Sequence, residues 1–148
     1  MPRRAALEVR RVEEPLAYLP LLLEDDPSEA RVRESLRDAD VYALREGETL
    51  LCLAVLVRID AKTVELKNLA TPAEHRGKGY AKRLLKALCG TYRQKYERMI
   101  VGTTEGMIPF YVKQGFDRYV RTERDFFPHS DHAGSRDLFY YEKPLKQA

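Results

Sequence analysis

Tryptophan is absent from the 148 residues, histidine occurs three times and cysteine twice. Cys52 and Cys89 stand far apart inside apolar runs, with no CxxC between them. That excludes a disulfide framework and a thiolate zinc site, and predicts two buried free thiols in a reducing compartment. Neither cysteine has the surroundings that a nucleophilic thiol requires. No apolar stretch approaches the length that spans a bilayer. The opening Met1-Pro-Arg-Arg-Ala-Ala6 has charge but no apolar core behind it, which reads against a secretion signal and predicts a cytoplasmic protein with no membrane partner. A concentrated basic patch with aromatic or groove-reading elements is lacking too, so no nucleic-acid partner is expected.

What is present suits one domain over residues 1–148. A hydrophobic fraction of 44% can build a core, and a charged fraction of 33% solvates the surface around it. The formal net charge of +3 hides an asymmetry. Residues 1–60 hold 9 Lys and Arg against 13 Asp and Glu (−4), and residues 61–148 hold 17 against 10 (+7). A basic second half suits an anionic cofactor, and an acidic first half suits a cationic acceptor.

Hydrophobic periodicity predicts the elements in order. Leu7–Val12 reads as a strand. Pro15–Leu23 reads as a short helix broken by its proline. Asp26 is the expected cap of a second helix with Pro27 at its first position and Val32 and Leu36 on its buried stripe. Val41–Arg45 and Leu50–Val57 are strands joined by a Glu46-Gly47-Glu48 turn, and the second, apolar throughout, is expected to be central. After Asp60-Ala61-Lys62 comes the strand Val64–Thr71, which completes an antiparallel meander. A long helix is expected from near Gly77, with Tyr80, Ala81, Leu84, Leu85, Leu88, Cys89 and Tyr92 on one face. Met99–Thr103 is a strand reached by that crossover and therefore expected parallel to the one before it. Met107–Gln114 is a short helix closed by Gly115. Phe116–Arg124 and Leu138–Glu142 are the last strands, with Phe127–Arg136 as the loop between them. Strands and helices mix around one sheet, an α/β or α+β arrangement.

The stretch richest in chemistry is Thr71-Pro-Ala-Glu-His-Arg-Gly-Lys-Gly-Tyr-Ala-Lys82, between a strand and a helix. Gly77 and Gly79 let backbone approach a ligand, and the helix behind them aims free N–H groups and a positive dipole end at it, as phosphate binding needs. The nucleotide phosphate loop is excluded, because no glycine here is followed by Lys and then Ser or Thr. The dinucleotide fingerprint is excluded because Lys82 stands where its third glycine belongs.

Arg76-x-x-Gly79-x-Ala81 does fit one pattern: it resembles the acetyl-CoA pyrophosphate motif of the GNAT family of N-acetyltransferases. Phe110-Tyr-Val-Lys-Gln-Gly-Phe116 is similar to a second block of that family, and the two stand in the family's order with the expected elements between them. The resemblance covers residues 40–120 or so. It implies a GNAT-like fold, a central mixed, mostly antiparallel sheet of about seven strands flanked by about four helices. It also implies direct transfer of the acetyl group of acetyl-CoA to a primary amine, with no resident metal.

Carried over position by position, the resemblance implies that backbone N–H groups of Arg76, Gly77, Lys78, Gly79, Tyr80 and Ala81 bind the pyrophosphate, with added charge from Arg76 and Lys78. Leu69, Ala70 and Thr71 would pair with the pantetheine arm, one of their N–H groups serving as oxyanion donor. Tyr111 matches the tyrosine that protonates the departing thiolate. Glu65 falls where part of the family places a catalytic glutamate. It shares a strand face with Lys67 and Leu69, so a surface ion pair with Lys67 is the competing reading. Thr104 replaces the family's usual Asn beside pantetheine, which leaves open a non-catalytic acyl-CoA sensor. Glu105, next to it, is a second candidate for base or acceptor anchor.

His129, Asp131 and His132 resemble metal ligands at first sight, but no further ligand follows at zinc-like spacing, and a polar loop lining the acceptor pocket is the expectation. Arg124-Asp-Phe-Phe127 is expected to shape that pocket. The acceptor could be a small amine or a protein amine, and the acidic Glu24, Asp25, Asp26 and Glu29 favour a cationic one. A homodimer is compatible with the resemblance.

Overall fold

A computed structural model describes residues 6–127 and 136–146; His129, Asp131 and His132 lie outside them. Seven strands form one sheet in the order β1-β2-β3-β4-β5-β7-β6: β1 Leu7–Arg11, β2 Ala39–Glu46, β3 Thr49–Arg58, β4 Thr63–Ala70, β5 Arg98–Thr103, β6 Arg118–Glu123 and β7 Leu138–Pro144. The helices are α1 Leu19–Asp25, α2 Glu29–Leu36, α3 Tyr80–Tyr92 and α4 Ile108–Lys113. Strand and helix types and their order match the sequence reading. The chain divides into two compact units. One is built on the chain up to Arg58 with Leu66–Leu88, the other on Ile59–Glu65 with the chain from Cys89 onward.

In the first unit, β1 pairs antiparallel with β2, and β2 with β3. The β2–β3 loop is Gly47-Glu48, because Glu46 still pairs with Thr49. Gly47 has φ +60°, the left-handed opening that a two-residue hairpin asks of glycine. The apolar run of β3 is buried from Leu51 to Leu56, as a strand covered on both faces should be. Leu22 of α1 and Val32 of α2 close over Val41, Ala43, Leu53 and Val55.

Two local expectations are corrected here. Pro20 does not break a helix: a 3-10 turn, Pro15–Tyr18, runs into α1, and Pro20 sits in the first turn of α1, where its missing N–H costs nothing. The cap of α2 is Ser28, not Asp26. Ser28 Oγ accepts the Arg31 N–H at 3.2 Å. Asp26 accepts the Ser28 N–H at 3.0 Å and the Arg31 guanidinium at 2.6 and 2.9 Å. An Asp two residues before a serine can fold back on the backbone and leave the cap to the serine.

In the second unit, β7 pairs antiparallel with both β5 and β6. Gly115, at φ +96°, closes α4. Its N–H reaches the Val112 carbonyl, and the Phe116 N–H reaches the Tyr111 carbonyl, each at 3.0 Å, the paired closure that a left-handed glycine permits. Phe116 therefore belongs to this closure and the strand begins only at Arg118. Lys143 Nζ donates to the Gln114 carbonyl at 2.8 Å, placing a cation at the negative end of α4.

Phe116 has no exposed surface and packs edge-on against Tyr111 with ring centres 5.8 Å apart. Phe116→Ala should cost about 3–5 kcal/mol, through lost burial and the cavity left behind. Its melting temperature should fall by about 10 °C or more, measurable by calorimetry.

Candidate active site

The first unit holds the glycine corner that follows β4. A 3-10 turn, Ala73–His75, leads out of β4 towards α3. Gly77 and Gly79 follow at φ +76° and +82°, which is why α3 begins at Tyr80 and not near Gly77: residues held left-handed cannot belong to a right-handed helix. A Cβ built on either glycine would meet nothing within 4 Å. Packing therefore does not require these glycines; backbone shape does, and the space before them is open. The first main-chain bond of α3 runs from the Arg83 N–H to the Gly79 carbonyl at 3.0 Å, so the N–H groups of Tyr80, Ala81 and Lys82 head the helix with no partner inside it. Lys78 is exposed. Arg76 is tied down: its Nε donates to the Thr71 carbonyl at 3.0 Å and its guanidinium lies 3.8 Å from Glu24. It braces the corner against the end of β4.

Along β4 the alternation holds. Leu66, Asn68 and Ala70 are buried, while Glu65, Lys67 and Leu69 are half-buried. Thr71 Oγ1 donates to Cys52 Sγ at 3.4 Å, and burial pushes the thiols of Cys52 and Cys89 up, as expected for unreactive free thiols.

Asp25 belongs to this corner, and sequence reasoning singled it out only as one member of an acidic run. Its carboxylate accepts from Asn68 Nδ2 at 2.8 Å. The residue keeps much of its surface open to solvent, yet protein crowds the carboxylate itself. Loss of hydration raises its pKa to about 6, opposed by the Asn68 hydrogen bond, reinforced by the charge of Asp26, and opposed again by the Leu69 backbone N–H. A carboxylate whose folded pKa lies above its unfolded one gives the fold stability that is complete below pH 4 and lost as pH rises through 6. Asp25→Asn should therefore leave the melting temperature unchanged near pH 4. At pH 8 it should raise it by about 2–4 °C, or about 1 kcal/mol once discounted for the solvent contact the residue keeps. Thermal melts at the two pH values check this.

The second unit carries the remaining candidates. Thr104 and Glu105 are exposed, and a 3-10 turn, Glu105–Met107, leads into α4. Tyr111 is 8% exposed, and its ring meets Phe110 edge-on at 5.0 Å. The charge of Glu65 falls on Tyr140 of β7, a residue the sequence reading missed. Burial, then Glu65, then Glu123 push the Tyr140 phenol up to about 12. Its hydroxyl donates to Glu123 at 3.3 Å, and the Arg121 guanidinium lies 3.8 Å over its ring. Phe126 and Phe127 pack onto Ile100, Leu138 and Tyr140 as an aromatic wall. Asp125 before them is held at φ +54°, with its N–H on Asp137 at 2.9 Å. Gly102 makes room for this wall, since a Cβ there would come within 2.9 Å of both Leu138 and Tyr140. Among the described residues no group of three or more His, Cys, Asp or Glu side chains could hold a metal, and no helix is long and apolar enough to cross a membrane.

A mixed seven-stranded sheet with a glycine corner at the start of a helix is the arrangement the sequence resemblance implies, and the comparisons agree. The sequence profile of the acetyltransferase (GNAT) family matches residues 7–116. YvbK of Bacillus subtilis (strain 168), named as an uncharacterized N-acetyltransferase, is 32% identical over 111 residues, 72% of this chain and 71% of its own. Among solved structures, a Bacillus subtilis acetyltransferase in complex with CoA is 29% identical, with a TM-score of 0.81 over 95% of this chain and all of its own. A GNAT family acetyltransferase from Elizabethkingia anophelis with acetyl-CoA bound shares the fold, at 23% identity and a TM-score of 0.83 over 93% of this chain and 97% of its own. The chain belongs to the GNAT family of acetyltransferases.

Proposed function

We propose that this acetyltransferase moves the acetyl group of acetyl-CoA directly to a primary amine, with no acyl-enzyme. The observation that carries the reading is the corner at Gly77 and Gly79: two left-handed glycines, a helix N-terminus behind them and open space in front. The CoA bound to the 29% identical relative supports it.

Each residue then has a task. The N–H groups from Arg76 to Ala81 take the pyrophosphate, where dipole and donors both favour an anion. Leu69, Ala70 and Thr71 pair with the pantetheine arm, and a backbone N–H among them stabilises the oxyanion as the amine adds to the thioester carbonyl. Thr104 offers a hydroxyl to the same arm. Tyr111 donates a proton to the departing thiolate. Glu65 and Glu105 are carboxylates of the second unit that can attract or deprotonate the acceptor. Holding the amine and thioester at attack distance supplies much of the rate. The acceptor is a small amine or an amine on a protein.

Thiol release under saturating acetyl-CoA, run with matched primary amines and their hydroxyl analogues, tests this reading. The expected result is release with amines alone, accompanied by an N-acetylated product in the mass spectrum. Intact acetyl-CoA binding with no release for any amine would instead favour an acyl-CoA sensor, which the threonine at position 104 leaves open.

A further inference from the structure

The acidic stretch from the end of α1 into the first turn of α2 holds four carboxylates, and three are already matched. Glu24 lies 3.8 Å from Arg76, Asp26 is gripped by Arg31 at 2.6 Å, and Glu29 pairs with Arg33 at 2.9 Å. Asp25 differs: the partner it meets is an amide. Asn68 Nδ2 holds it at 2.8 Å, and Asn68 is itself only 5% exposed, on the buried face of β4 with Leu66 and Ala70. The next residue, Leu69, also turns its backbone N–H to the carboxylate. Cys52, whose Sγ takes the Thr71 hydroxyl, feels the Asp25 charge.

The charged and titratable groups that bear on Asp25 within its unit are thus Asp26, already paired, and the Cys52 thiol. No cation among the described residues of this unit compensates Asp25. A carboxylate left uncompensated is costly unless something charged arrives to meet it, and here solvent still reaches it. It stands at the residues assigned to the pantetheine arm.

We infer that Asp25, held in place by Asn68, receives the ammonium of the acceptor and takes its proton during transfer; this deepens the proposed acetyl transfer and rests on it. The ammonium docks on the carboxylate as the missing counter-ion. One proton passes from the ammonium to Asp25 Oδ and frees the nitrogen lone pair, and the C–N bond then forms as that nitrogen attacks the thioester carbonyl. The C–S bond then breaks, its electron pair leaves on sulfur, and that thiolate takes a proton from its own donor, which the second proton lost by nitrogen on becoming an amide restores. Asp25 returns its proton to water before the next turnover. A carboxylate held basic by its site is a better proton acceptor than an ordinary surface aspartate.

The test is the pH dependence of kcat/KM for an amine that the wild type acetylates, at saturating acetyl-CoA, for wild type, Asp25→Asn and Asn68→Ala, with Glu48→Gln in the β2–β3 loop as control. The wild type is expected to show an acid limb with its midpoint near the Asp25 value of about 6. Asp25→Asn should lose that limb and about a hundredfold or more in kcat/KM, with the KM for acetyl-CoA unchanged, which also shows that the variant is folded. Asn68→Ala removes a donor that favours the ionised form, so its limb should move to higher pH. Glu48→Gln should match the wild type. A wild-type limb and kcat/KM that survive in Asp25→Asn, or a limb that does not move in Asn68→Ala, would overturn the inference while leaving acetyl transfer standing. A wild type that acetylates no amine would remove the proposed function and this inference with it.

Discussion

Gly79→Val should weaken acetyl-CoA binding by about a hundredfold, close to 3 kcal/mol, in a protein that still folds. At φ +82° a β-branched residue is strained, by about 1–3 kcal/mol. The new side chain meets nothing within 4 Å of its Cβ, so the cost is local backbone strain and not a core clash. The loop can keep its shape at that cost or relieve it by rotating φ to negative values. Rotation turns the N–H groups of the corner away from the phosphate they would bind, and a retained shape puts two methyls into the approach. Gly90→Ala is the contrast. Gly90 lies inside α3, also with open space at its Cβ and with no left-handed φ, so alanine there should stabilise by about 0.5–1 kcal/mol and leave binding alone. Calorimetric titration with acetyl-CoA and a thermal melt of each variant separate the two effects.

Tyr111→Phe should lower kcat by about a hundredfold while acetyl-CoA affinity stays at the wild-type value. A donor that protonates the leaving group acts in the transition state, so its removal appears in kcat and not in ground-state binding. The substitution keeps the ring, and with it the edge contacts to Phe110 and Phe116. A stability loss like that of Phe116→Ala is therefore not expected. Single-turnover rates beside equilibrium affinity measure both quantities. An unchanged kcat would return Tyr111 to the core as an aromatic with no part in the chemistry.

Local pattern carried much of this in the sequence itself. The α3 face from Leu84 to Tyr92 is buried where its periodicity places it, and the alternation of β4 puts Asn68 inward and Glu65 outward as strand geometry requires. The two glycines of the corner were legible because left-handed backbone has few other tenants. Competition between nearby groups was not legible. Asp26 and Ser28 are both good caps, and the choice between them fell to Arg31, which claims the Asp26 carboxylate. Pro20 could end a helix or begin one, and only the preceding turn decides.

The largest omission was long-range. Asp25 and Asn68 are 43 positions apart, and no spacing rule joins an α1 end to a β4 interior. Charge counting saw four acidic residues. It could not see that arginines neutralise three and leave the fourth to an amide. Tyr140 is similar: its partners Glu123 and Arg121 come from the neighbouring strand, and only the β6–β7 register brings them together.

The ligand of the glycine corner decides the assignment, so the decisive measurement is the melting temperature of the wild type with acetyl-CoA, ATP and NAD, each at the same concentration. A ligand at about a hundredfold excess over its Kd stabilises the native state by about 2.7 kcal/mol. The expected result is a rise with acetyl-CoA of about 5–10 °C for a chain of this size, and none with ATP or NAD. A rise with ATP or NAD in its place, or no rise with acetyl-CoA in a folded sample, would contradict it.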